Sequence, residues 1–94
     1  MDDELVNRAS ILSHGERDVA GYLRSDPDID AEEIADRRDV PVESVEKSIS
    51  RIREKTRRAF ATIAQSPFIE EAARELPAEE RESLRAVLRD IDEK

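Results

Sequence analysis

The 94-residue chain contains no cysteine and no tryptophan. Without Cys, neither a disulfide framework nor a Cys-based zinc site can form. Glycine occurs only at 15 and 21, so there is neither a Gly-rich phosphate loop nor a flexible linker. Proline is confined to 27, 41, 67 and 77. No stretch of about 18 apolar residues exists to span a membrane. The opening Met1-Asp2-Asp3-Glu4 lacks the basic and apolar regions of a secretory leader, so an intracellular, cytoplasmic protein is expected. No apolar/polar alternation lasts five residues, which leaves no candidate strand.

What the chain has instead is charge. Acidic residues number 24 against 16 basic ones, a net charge of −8. Thirteen of the basic residues are arginine; the lysines are Lys47, Lys55 and Lys94. Leu, Ile, Val and Phe together supply only 22 residues, just above the level at which disorder becomes the better expectation. A core is affordable only if it is small, and a partner subunit would help complete it. Many carboxylates, little lysine and only three aromatics (Tyr22, Phe60, Phe68) resemble the composition of proteins from salt-loving archaea. Salt would screen the self-repulsion of such a chain.

Helical spacing runs throughout and predicts an all-α fold of about six helices. Leu5, Ala9 and Leu12 suggest a short first helix. Ser13-His14-Gly15-Glu16 reads as a capping box opening a second, with Val19, Tyr22 and Leu23 on one face. Asp30-Ala31-Glu32-Glu33 caps a helix of about eight residues that buries Ile34 and Ala35. Asp39-Val40-Pro41 is a tight turn. Val45, Ile49, Ile52, Thr56, Phe60 and Ile63 then mark one stripe of a long helix over about 42–64. Ser66-Pro67 stops it and is expected to restart the chain as N-cap and first helical residue. Phe68, Ile69, Ala72, Ala73 and Leu76 follow, then a last helix with Leu84, Val87, Leu88 and Ile91. Two parts result, 1–65 and a C-terminal helical hairpin over 66–94.

Helix, short helix, tight turn, long helix is the plan of a helix-turn-helix. Leu12-Ser13, Glu16-Arg17-Asp18-Val19, Glu33-Ile34-Ala35-Asp36-Arg37, Val40, Ser44-Val45-Glu46 and Ser50-Arg51-Ile52 resemble, in register, the module shared by LuxR-type regulators and region 4 of bacterial sigma factors. The resemblance covers about 40 residues. It implies a DNA-binding domain whose recognition helix starts near Ser44, and so a transcriptional regulator for which the transcription machinery is a possible further contact. Two departures stand out: Asp39 where the family usually has Gly, and Pro41 where it tends to have a Ser or Thr cap. Neither a receiver domain nor other sigma regions accompany the module, so only DNA binding carries over.

The long helix supports the same expectation from its own charges. With Val45 at 0° and about 100° per residue, Lys47, Arg58, Arg51 and Lys55 fall near 200°, 220°, 240° and 280°, opposite the apolar stripe. Residues 47–58 hold six bases and one acid, whereas 16–46 hold 11 acids and four bases. Like charges at i,i+4, such as Lys47/Arg51, each cost about 0.2–0.5 kcal/mol, so the stripe is better explained by an anionic partner. The alternative is a solvated face neutralised by Glu43–Lys47 and Glu54–Arg58 pairs. Glu43, Ser44, Lys47 and Arg51 are the expected base contacts; Arg37, Arg38, Lys55 and Arg58 the expected phosphate contacts. Double-stranded DNA is the expected partner. A competing class is an interaction module that docks its basic helix on an acidic protein.

Nothing else in the chain reads as chemistry. Asp26-x-Asp28-x-Asp30 begins like a calcium loop, but Ala31 and Arg37 stand where Gly and Glu are needed, so it is a turn plus an N-cap. His14, the single histidine, lies in a helix start without a nucleophile or metal-ligand context. Glu32/Glu33 and Glu70/Glu71 are adjacent and diverge on a helix, unlike a catalytic pair. The echo between Leu12-x-x-x-Glu16-Arg17-Asp18 and Leu76-x-x-x-Glu80-Arg81-Glu82 needs only two similar helix starts. No enzyme activity, cofactor or metal is expected. For the tail, the choice is packing within the subunit or a homodimer interface through Phe68, Leu84, Leu88 and Ile91, and the dimer is favoured because apolar surface is scarce.

Overall fold

The computed structural model describes residues 10–92. Its elements are all α-helices: α1 (His14–Ser25), α2 (Ala31–Arg38), α3 (Val42–Gln65), α4 (Ile69–Glu75) and α5 (Ala78–Asp92). These are five helices rather than about six. Leu5 and Ala9 of the expected first helix lie outside the described residues, and Leu12 sits in a bend. There the Leu12 N–H donates to Ser10 Oγ at 3.2 Å, a local side-chain bond that competes with helix formation. Among the described residues no helix is long and apolar enough to cross a membrane.

Compact packing divides the described residues into Ser10–Ala64 and 65–92. In the first unit, each helix boundary has a local chemical cause. Ser13 caps α1: its hydroxyl accepts from the Glu16 N–H, and the Glu16 side chain accepts from the Ser13 N–H, which satisfies two orphan donors at once. Asp30 caps α2 by accepting from the Glu33 N–H at 2.9 Å. At the far end of α2, Asp39 adopts φ 55°, ψ 52°, the one left-handed non-glycine residue among those described. The Asp39 N–H donates to Asp36 O and the Val40 N–H to Ala35 O, so two otherwise orphaned carbonyls are satisfied. Glycine would adopt this conformation without steric cost; Asp tolerates it better than most residues.

The turn brings α3 back across α1 and α2. Val19 of α1, Ile34 of α2 and Val45 of α3 are fully buried, with Ile29 and Ala35 nearly so. Tyr22, Leu23, Ala31, Val40, Val42, Ile49 and Ile52 pack around them. The core therefore uses only the first half of the α3 stripe. Phe60 and Ile63, further along it, are exposed, and Thr56 turns its hydroxyl onto Ile52 O at 2.7 Å.

In residues 65–92, α4 and α5 bury no side chain. The expected Ser66-Pro67 start shifts by two residues. Phe68 takes the cap position with no side-chain cap bond, while Ser66 Oγ accepts the Phe68 N–H at 3.0 Å in a turn that delays the helix.

Candidate functional site

The outer face of α3 is set by what its inner face must do. Val45 is driven into the core, with Ile49 and Ile52 against it, and the helical period then turns Glu43, Ser44, Lys47, Arg51 and Arg58 outward; all five are exposed. Lys47, Arg58 and Arg51 lie within about 40° of one another around the axis and span about 16 Å along it. Glu43, in the first turn of α3, complements the positive end of the helix dipole.

The two pairs of the alternative reading, Glu43–Lys47 and Glu54–Arg58, are not among the ion pairs of the described residues. Glu54 instead engages Arg57, Oε2 to Nη2 at 2.8 Å. Among the described residues, Lys47, Arg51 and Arg58 have no ion-pair partner closer than 4.0 Å. The face is therefore basic in fact as well as in sequence, with Glu43 and Glu46 as its acidic flank.

The phosphate-contact candidates are divided by the structure. Arg58 is free to reach out. Arg37 is exposed and paired with Glu33 at 2.9 Å, an i,i+4 pair of the kind worth about 0.3–0.5 kcal/mol and easily exchanged. Arg38 is held inward: its guanidinium lies 3.6 Å from Asp18 of α1 and would be in ordinary contact with a Cβ at Gly15. Lys55 is held more firmly. Its Nζ donates to Glu16 Oε1 at 2.6 Å and to Ile11 O at 3.1 Å. Arg38 and Lys55 thus tie α2 and α3 to α1, and both leave the set that faces outward.

Glu16 is the residue whose full role the sequence concealed. It is the one buried charged side chain among the described residues. The Lys55 ammonium, and after it the Ser13 N–H, hold its carboxyl below the ordinary carboxylate range, against a smaller opposing push from burial. Its capping role was visible three residues away, at Ser13. Its partner across 39 residues was not.

A shallow depression along α1 is lined by Arg17, Asp18, Gly21, Tyr22 and Ser25. Among the described residues no group of three His, Asp or Glu side chains could hold a metal ion. Phe68, Leu84, Leu88 and Ile91 are all exposed. No protein-family model, curated protein or solved structure matches the chain.

Proposed function

We propose that the chain binds double-stranded DNA through the outer face of α3, as a helix-turn-helix protein that regulates transcription. The observation that carries this reading is the unneutralised basic row Lys47, Arg51 and Arg58 in a protein of net charge −8. Lys47 and Arg51 repel each other at i,i+4, and a polyanion removes that cost. The short α2, the left-handed turn and the buried Val45 present the row on the side of α3 away from the core, as a recognition helix requires. Arg51 and Lys47 suit guanine O6 and N7, Glu43 suits the cytosine amino group, Ser44 suits either, and Arg58 and Arg37 suit phosphate.

The acidic remainder sets the conditions. Residues 16–46 carry net −7 and oppose DNA in dilute buffer. At molar salt the Debye length is about 3 Å, so distant charges fade and contacts at the interface decide. Counterion release contributes little there, and base-edge contacts carry more of the affinity.

The test is a duplex titration of wild type, Arg51→Ala and Arg58→Ala in molar KCl, using a site selected from random duplexes. Arg51→Ala is expected to lose about 1–3 kcal/mol and to relax base preference at one position. Arg58→Ala should weaken all sequences alike. If folded wild type fails to bind any duplex from tenths molar to molar KCl, α3 does not read DNA, and docking on an acidic protein surface takes its place.

A further inference from the structure

We infer that the apolar face of α5 is covered by the same face of a second copy of the chain, with the two helices antiparallel. Two observations carry this. The first is a deficit: α4 has 7 residues, α5 has 15, and neither buries a side chain. A helix of that length is marginal in water without tertiary cover. Yet Leu84, Val87, Leu88 and Ile91 are 43–61% exposed, all within about 100° of the α5 circumference.

The second is self-complementarity. In an antiparallel pair centred between Val87 and Leu88, Leu84 meets the partner's Ile91 and Val87 meets the partner's Leu88. Each apolar residue of the stripe thus finds another. Arg81, Asp92 and Arg85 lie about 60°, 80° and 100° from Leu84 on one flank. An antiparallel two-fold brings that same flank of both helices together. Asp92 then falls between the partner's Arg81 and the partner's Arg85, and the arrangement repeats at the other end of the pair. A parallel pair would meet only part of this charge: it would set Arg85 beside the partner's Glu80 but Asp92 beside the partner's Val87, and Arg81 would find no carboxylate of the partner's α5. Arg85 gives up only an exposed bond to Glu82 at 2.9 Å, worth little.

The surface is remote in sequence from the basic row of α3, and the inference stands whether or not that row binds DNA. The test is sedimentation of the full chain. Wild type in molar KCl should be a dimer at tens of micromolar, and Leu88→Asp should raise the dissociation constant at least about 100-fold, since a carboxylate would be buried in each copy. The tyrosine signal of Tyr22, in the other unit, should stay native. Charge variants need no core change: at the lowest salt that keeps wild-type helicity, Asp92→Arg alone and the double variant Arg81→Asp/Arg85→Asp alone should each weaken self-association by roughly 2–30-fold. An equimolar mixture of the two should form a heterodimer of near wild-type strength, because every Arg–Asp contact is restored. A wild-type monomer at tens of micromolar, or a dimer indifferent to both Leu88→Asp and Asp92→Arg, overturns the inference.

Discussion

Ile34 tests how thin the core is. It is the largest of the three fully buried side chains, and the core of the Ser10–Ala64 unit holds only five buried apolar residues. A unit of about 55 residues at 0.05–0.15 kcal/mol per residue has about 3–8 kcal/mol of stability in total. Ile34→Val removes one methylene equivalent and should cost about 0.5–1.5 kcal/mol. For a domain this small, each kcal/mol shifts the midpoint by about 4–8 °C. Ile34→Ala should cost about 2–5 kcal/mol, which takes from about a quarter to all of what is available and lowers the midpoint by at least about 8 °C. The assay can be confined to this unit, because Tyr22 is the only tyrosine, there is no tryptophan, and Tyr22 packs on the core. Its fluorescence during a thermal scan in molar KCl reads the transition directly. Ile11→Ala, at a side chain 63% exposed, is the control and should stay within about 0.5 kcal/mol. If Ile34→Ala melts no earlier than Ile11→Ala, the core does not hold the unit together.

Two further outcomes concern charge. Because the Glu16 carboxyl is held below its ordinary value, its stabilising effect is fully present above that ordinary value and is lost as the pH falls through the lowered one. Glu16→Gln should therefore melt well below wild type at pH 7, and the gap should close in acid; a gap that is constant from pH 7 to pH 2 removes the ion pair as its cause. With net charge −8 and 24 carboxylates, the midpoint of wild type should rise as KCl goes from tenths molar to above molar, and a flat or falling series defeats the salt-adapted reading of the composition.

Features governed by near neighbours were legible in the sequence. Ser13 with Glu16, Asp30 with Glu33, and the turn at Asp39 all rest on bonds within five residues, and the expected boundaries of α1, α2 and α3 followed from them. Periodicity placed Ile34, Ala35 and Val45 inside. The misses have equally definite causes. Ser10 and Ser66 each divert a nearby backbone N–H, so Leu12 is not helical and α4 starts two residues late. Lys55 looked like part of the basic row because a helical wheel records direction and not neighbours; at about 280° it lies near enough to the packed side to meet Glu16. The α3 stripe is continuous in the sequence, but periodicity does not say how far neighbouring helices reach: α1 and α2 cover only its first half, and Phe60 and Ile63 are exposed.

The double duty of one oxygen atom has a consequence for how the unit opens. Glu16 Oε1 accepts from Ser13 N three residues before it and from Lys55 Nζ 39 residues after it. The first bond belongs to nucleation of a helix; the second closes a long loop and cannot form until α3 has docked. First turns of helices ordinarily fray on their own, at almost no free-energy cost. Here, fraying the first turn of α1 would also loosen the anchor of α3, and undocking α3 would strip the helix start of the carboxylate that caps it. The amide protons of that first turn, normally among the earliest to exchange with solvent, are thereby joined to the cooperative opening of the whole three-helix unit.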